Sequence, residues 1–189
     1  MKNKGLLIVF TGCSGVGKGT IVKELLGRDS NCMLSVSATT RSPRVGETHG
    51  KEYFFITKDE FDKMIAQNGF LEYAEYCGNR YGTPKKAVED MINAGKNVIL
   101  EIEVQGGMQI KKICPDCVSI FITPPSIQEL ENRLRGRGTE DEATIQRRIA
   151  ASAKELEIGK SYDYNVVNDN LEVAVQDVMN IINNERSKR

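Results

Sequence analysis

Seven residues near the N-terminus, Gly12-Cys13-Ser14-Gly15-Val16-Gly17-Lys18, carry the spacing G-x-x-x-x-G-K. The chemistry this spacing serves is the grip on a chain of phosphates. Glycines let the backbone curl so that successive N–H groups point inward at anionic oxygens. A helix starting directly afterwards adds the positive end of its dipole. A lysine at the end of the loop brings a full charge to the outer phosphates. The bare pattern arises by chance in a chain with 17 glycines, so its setting decides. That setting is a buried apolar strand before it and a helix after it. The next residues are Gly19 and Thr20. The hydroxyl that commonly follows the lysine and ligates magnesium is therefore absent or displaced by one position.

Further clusters could bind anions or read a ligand. Arg41 and Arg44, three apart in a loop held by Pro43, can form a fork for a phosphate dianion. Alone, the same pair could be a solvated basic loop. Glu101 and Glu103 lie two apart in a strand-like run, so they share one face, with Leu100, Ile102 and Val104 on the other. In parallel sheets ligands bind beyond the carboxyl ends of strands, where these acids would stand. Arg133, Arg135, Arg137, Arg147 and Arg148 fall within sixteen residues, beside Gly136 and Gly138. They read as a mobile anion clamp, although a solvated helix face would account for some of them. Cys114 and Cys117 form a C-x-x-C, but there is no second such pair and His49 is the single histidine, too few ligands for structural zinc. Cys13 and Cys32 read as small buried hydrophobes, and His49 as a loop residue.

The elements that must position these groups follow from hydrophobic patterning. Leu6–Phe10 is a continuous apolar run, a strand buried on both faces. A helix follows over Thr20–Leu26, then strands at Cys32–Ser37 and Tyr53–Ile56. Thr57 and Glu60 make a capping box for a helix bearing Phe61, Met64 and Ile65. Phe70–Tyr76 is strand-like, and Gly78–Gly82 reads as a turn or loop. Thr83-Pro84 reads as an N-cap and first-turn proline ahead of Val88, Met91 and Ile92. Val98–Val104 and Val118–Ile122 read as strands, the first ending at Gly106-Gly107. Capping boxes at Ser126/Glu129 and Thr139/Glu142 open two helices. Tyr164–Val167 is a short strand, and Leu171, Val175, Val178 and Ile182 mark a closing helix with a frayed tail from Glu185 to Arg189.

Buried strands alternating with helices imply an α/β fold with a largely parallel sheet flanked by helices. Two stretches break that rhythm: 37–85, turn-rich and read as an antiparallel insertion, and 126–160, helical and arginine-rich. At 189 residues the chain is one domain by length, and 40% hydrophobic with 28% charged residues is ordinary for a soluble protein. The 26 basic and 26 acidic residues cancel, which excludes a broad basic footprint for nucleic acid or anionic membrane. No apolar run is long enough for a membrane span or a signal peptide, so a cytoplasmic setting is expected.

Taken together, Thr39-Thr40-Arg41-Ser42-Pro43-Arg44, Asn79-Arg80-Tyr81-Gly82, Glu101–Gly106, Leu134–Gly138 and Val167-Asn168-Asp169 give the whole chain a close resemblance to the guanylate kinases. These enzymes phosphorylate GMP with ATP. The resemblance implies a P-loop NTPase-type sheet, comprising a core of 1–36, 86–125 and 161–189, a GMP-binding insertion at 37–85 and a helical lid at 126–160. It implies that Gly12 through Thr20 bind ATP and that Lys18, Arg137 and Arg148 contact the migrating phosphoryl group. It implies that Arg41, Arg44, Tyr53 and Tyr81 hold the GMP phosphate, with Ser37, Glu72, Thr83 and Glu103 around guanine. Guanine's N1–H and N2 amino group are donors suited to a carboxylate such as Glu72, and its O6 is an acceptor suited to the hydroxyls of Ser37 and Thr83. Magnesium is expected with ATP, without a confident protein ligand, and dGMP is expected as a second acceptor in purine nucleotide metabolism. Many relatives carry aspartates where this chain has Glu101 and Glu103. Oligomeric state stays open. Two competing readings are a peptide-binding module that has lost catalysis and a related kinase for another phosphorylated acceptor. The intact Lys18, Arg41 and Arg44 argue against the first, and Glu72, Ser37 and Thr83 against the second.

Overall fold

The computed structural model describes residues 4–76, 78–136, 138 and 141–189. In chain order the elements are β1 (Leu7–Gly12), α1 (Lys18–Arg28), β2 (Cys32–Leu34), β3 (Ala38–Thr39), β4 (Phe54–Phe55), α2 (Lys58–Ala66), β5 (Phe70–Tyr76), β6 (Asn79–Pro84), α3 (Lys85–Asn93), β7 (Asn97–Glu101), α4 (Val104–Ile113), β8 (Val118–Thr123), α5 (Ile127–Gly136), α6 (Glu142–Gly159), β9 (Tyr164–Val167) and α7 (Leu171–Ser187).

Among the described residues, five strands form one sheet in the order β2-β7-β1-β8-β9, each neighbouring pair parallel. Its apolar runs are continuous because both faces are covered by helices: Ile8, Val9, Phe10, Ile99, Ile120, Phe121 and Ile122 are inaccessible to solvent. β1 has β7 on one side and the later β8 on the other. The strand order therefore reverses around β1, the kind of switch point where such sheets open a crevice beyond their carboxyl ends.

A second sheet, ordered β4-β3-β6-β5, is built from residues 38–84. β5 and β6 form an antiparallel hairpin, and β3 pairs antiparallel with β6, but β3 and β4 are parallel, so the sheet is mixed rather than purely antiparallel. Stacking of Phe61 on Phe70 at 4.4 Å fixes α2 to it. The capping box of α2 is complete: Thr57 accepts from the Glu60 N–H while Glu60 accepts from the Thr57 N–H.

Several sequence expectations are corrected. Gly78–Gly82 is not a loop: β6 runs from Asn79 to Pro84, because pairing with β3 and β5 fixes a stretch that has little strand propensity of its own. Thr83 is not a helix cap. It ends in the strand, its hydroxyl is donated to Glu72, and Pro84 occupies the N-cap of α3 without a side-chain bond. The strand expected to reach Val104 stops at Glu101, and Glu103 is the N-cap of α4, a helix hidden by Gly106 and Gly107. Both glycines are there for close packing. A Cβ on Gly107 would stand 2.2 Å from the Tyr162 hydroxyl and 2.9 Å from Thr11, so only glycine lets α4 lie this close to β1. α6 begins at Glu142, capped by Asp141, whose carboxylate accepts from the Thr144 N–H at 2.7 Å. The expected cap Thr139 lies outside the described residues. The closing helix runs on to Ser187, and Tyr164 donates to Glu185 at 2.6 Å, so the expected fraying from Glu185 is not observed.

Candidate functional site

The loop between β1 and α1 is built as its sequence demands. Gly15 and Gly17 take φ of 89° and 95°, values that side chains disfavour. Both also face crowded neighbours: a Cβ would stand 2.7 Å from Leu134 at Gly15 and 2.6 Å from Asn168 at Gly17. Lys18 folds back over the loop and donates to the carbonyls of Gly12 at 2.6 Å and Cys13 at 3.3 Å. Its ammonium is thus held at the mouth of a half-exposed cradle. Asn168, just past β9, donates to the Val16 carbonyl at 2.7 Å, and its own carbonyl accepts from Arg133 at 2.8 Å. α6 closes the other side. The buried Cys13 thiol approaches the Ser152 carbonyl at 3.8 Å, and the Ser14 N–H faces the Glu155 carboxylate.

Acids ring the lysine. Burial pushes the Glu101 carboxyl up, Lys18 pulls it down, and Glu103 adds to the rise. Burial likewise raises Glu155, reinforced by Glu103 and opposed by Lys18 and the Ser14 N–H. One oxygen of Glu155 is buried without a hydrogen bond among the described residues. Glu101 and Glu103 do not share a strand face as expected: Glu101 ends β7 half-buried, whereas Glu103 is exposed at the start of α4. Two roles are therefore open to them instead of one. Glu101 also sits against Gly19, 3.5 Å from where a Cβ would be, while Thr20 is exposed.

The second sheet gathers two groups on one face of β6, because Tyr81 and Thr83 are two residues apart. The first group surrounds Arg41. Its guanidinium lies over the rings of Tyr53 (5.5 Å) and Phe55 (5.7 Å), and Tyr53 meets Tyr81 edge-on at 5.9 Å. Glu47, which sequence reasoning left unassigned, accepts from Arg41 at 2.9 Å and from the Arg44 N–H at 2.7 Å. These partners hold its carboxyl below the usual carboxylate range, the Arg41 guanidinium first. Arg44 itself is exposed. Glu101 is close enough to Tyr53 to help burial raise the phenol, which ties this group to the end of β7. A Gly-Glu step after two spaced arginines was the available signal for Glu47.

The second group surrounds Glu72, which is only 8% exposed. Thr83, itself inaccessible, donates to its Oε1 at 2.6 Å. Burial pushes the carboxyl up and the Thr83 bonds hold it down, with burial prevailing. Ser37 immediately precedes β3, whose Ala38 pairs with Gly82, the neighbour of Thr83 on β6. A buried carboxylate with one oxygen occupied by the Thr83 hydroxyl keeps lone pairs free to accept further donors.

The arginines of the 126–160 segment differ in their partners. Arg133 is tied to Glu129 and to Asn168, Arg135 to Glu131 and Glu142, and Arg147 to Thr144. Arg148 lies half-buried on α6, four and seven residues before Ser152 and Glu155, the face that meets the glycine loop. Arg137 lies outside the described residues. Cys114 and Cys117 are free thiols, and burial pushes Cys117 up to about 11, which disfavours redox chemistry. Among the described residues no three His, Cys, Asp or Glu side chains gather to hold a metal, and no helix is long and apolar enough to cross a membrane.

Comparison with known proteins covers the same extent of chain. The sequence profile of the guanylate kinase family matches residues 4–185. A guanylate kinase of Synechocystis is 52% identical over 182 residues, spanning 96% of this chain and 95% of the relative. One from Bacillus subtilis is 50% identical over 190 residues, spanning 100% and 93%. A crystal structure of guanylate kinase from Anaplasma phagocytophilum superposes with a TM-score of 0.77 at 33% identity, covering 98% of this chain and 88% of that one. A shikimate kinase from Bacteroides thetaiotaomicron, at 16% identity and a TM-score of 0.53 over 94% and 98%, shares the fold.

Proposed function

Because the chain belongs to the guanylate kinase family, we propose that it transfers the terminal phosphoryl group of ATP to GMP, giving ADP and GDP, with dGMP as a second acceptor. One juxtaposition carries this reading. Glu101 feels both Lys18 of the glycine loop and Tyr53 of the second sheet, and Tyr81 of the Arg41–Tyr53–Tyr81 group and Thr83 of the buried Glu72–Thr83 pair lie two apart on β6.

In the reaction an oxygen of the GMP phosphate attacks the γ-phosphorus, and the bond from that phosphorus to the β–γ bridging oxygen breaks. The nucleophile is already an anion, so no strong base is needed. Positioning and charge neutralisation do the work. Gly12, Cys13, Ser14, Gly15, Val16, Gly17, Gly19 and Thr20 wrap the ATP phosphates, and Lys18 exchanges its two carbonyl partners for phosphate oxygens. Arg137 and Arg148 neutralise the migrating group. Arg41, Arg44, Tyr53 and Tyr81 hold the acceptor phosphate, and its arrival must displace or share the Glu47 carboxylate on Arg41. Glu72 accepts from guanine N1–H and N2–H, Ser37 and Thr83 serve O6, and Glu103 completes the rim.

Magnesium fits this site as an ion held mainly by phosphates and water. The half-buried Glu101 beside Gly19, at the start of α1, is an oxygen donor that would join it, directly or through water. When bound, the ion would neutralise charge on the β- and γ-phosphates. In this reading the 37–85 and 126–160 segments close over 1–36, 86–125 and 161–189, expelling water that would otherwise hydrolyse ATP. Balanced charge suits a cytoplasmic enzyme that does not engage nucleic acid.

A coupled assay of ADP release across GMP, dGMP, AMP, CMP and UMP tests the reading. Turnover confined to GMP and dGMP is expected. Comparable turnover with AMP, or none with any of the five, would refute it.

A further inference from the structure

Gly106 is the third residue of α4, inside its first turn, and glycine is a poor helix former. Its φ is not in the left-handed region, so backbone conformation does not require glycine. Its neighbour Gly107 is explained by the Tyr162 hydroxyl and by β1, but Gly106 faces elsewhere. A Cβ there would stand 3.0 Å from Glu72 Oε2 and 3.4 Å from Glu72 Cδ, inside the ~3.5 Å at which non-bonded atoms sit comfortably. The other oxygen, Oε1, is pinned by Thr83 at 2.6 Å. The carboxylate is thus wedged between a hydroxyl on β6 and the bare backbone of α4.

We infer that Gly106 is a specificity-determining residue: the space left by its missing side chain fixes how far the Glu72 carboxylate stands back from the base, and so sets recognition of the purine N1–H and 2-amino donors. This rests on Glu72 reading guanine. The argument is steric. Any side chain at 106 pushes Oε2 by several tenths of an ångström, and the Thr83 bond prevents the whole carboxylate from translating. It must therefore rotate, which misdirects its lone pairs toward the two guanine donors at once. Directed hydrogen bonds lose strength steeply with such misalignment. Glycine is retained at a helix position against propensity because the pocket needs the volume.

The test is Gly106→Ala beside Glu72→Gln. For Gly106→Ala we expect the KM for GMP to rise about tenfold or more, the KM for ATP to stay within twofold and the melting temperature not to fall. Preference for GMP over IMP, which lacks the 2-amino group, should narrow. If Glu72→Gln weakens GMP use but Gly106→Ala leaves it within twofold, Gly106 is not the spacer. If Gly106→Ala weakens GMP and ATP alike or lowers the melting temperature, the residue is a packing element and the inference fails. If Glu72→Gln itself leaves GMP use unchanged, it is the guanine-reading role of Glu72 that falls.

Discussion

Replacing Glu72 by glutamine changes one oxygen to an amide in a side chain only 8% exposed, with the Thr83 hydroxyl 2.6 Å away. Two arrangements are available to the glutamine. If its carbonyl stays on Thr83, its NH₂ faces the N1–H and N2–H of guanine, two donors against donors, and both base bonds are lost. If it flips, the Thr83 hydroxyl turns to accept from the NH₂, and one neutral bond to guanine survives in place of two charge-assisted ones. Charge-assisted bonds are worth roughly 1.5–3 kcal/mol each and neutral ones about 1 kcal/mol. The cheaper arrangement then costs about 2–5 kcal/mol, or roughly 30- to 5,000-fold in kcat/KM for GMP. AMP should lose little, because adenine presents an acceptor at N1. Steady-state kcat/KM for GMP and AMP in both proteins is the assay. A GMP/AMP ratio unchanged within about threefold, under 1 kcal/mol, would refute the assignment. Stability supplies a second readout. Burial raises the folded-state pKa of Glu72 above its unfolded value, so its ionised form costs stability above the folded pKa, and that cost vanishes as pH falls below the unfolded value near 4.5. Glu72→Gln should therefore melt at or above the wild-type temperature at pH 7–8, with the difference shrinking toward pH 4. A clear fall in melting temperature at neutral pH would contradict the burial argument.

Lys18→Ala should reduce kcat by roughly 10²-fold or more, the scale of losing one preorganised contact to migrating charge, with a near-native melting curve, since the hydrogen bonds of its ammonium among the described residues go to carbonyls of its own loop. Near-normal turnover would remove the lysine from the mechanism. Arg41→Met and Arg44→Met should each weaken GMP binding about ten- to a hundredfold while sparing ATP, read by titration calorimetry with each nucleotide; equal losses for both would mean the loop is not the acceptor site. Gly107→Ala, unlike its neighbour, should destabilise by about 3 kcal/mol, because the methyl meets the Tyr162 hydroxyl at 2.2 Å, lowering the melting temperature by roughly 6–12 °C. A native melting curve would show that α4 can move off β1.

What the sequence determined by itself is whatever rests on neighbours along the chain. The glycine loop, the doubly buried strands such as β1 and β8, the complete capping box at Thr57 and Glu60, and the ends of β5 and β9 are all local physics: period, cap and turn. Matching of several motifs to one family also lives in the sequence, because each motif is short. Other features were decided by residues far apart in the chain. α4 was missed because two adjacent glycines lower helix propensity, and the reasons for them, Glu72 and Tyr162, lie over thirty positions away on either side. β6 reads as a turn until β3 and β5 pair with it, and Thr83 reads as a cap until Glu72 arrives across the hairpin. Glu47 on Arg41 depends on how a loop folds back, and Glu155 and Asn168 reach the glycine loop from more than 130 positions downstream. Packing distance, hydrogen-bond geometry and the cost of burying a carboxylate depend on such meetings, and only the tertiary structure brings those residues together.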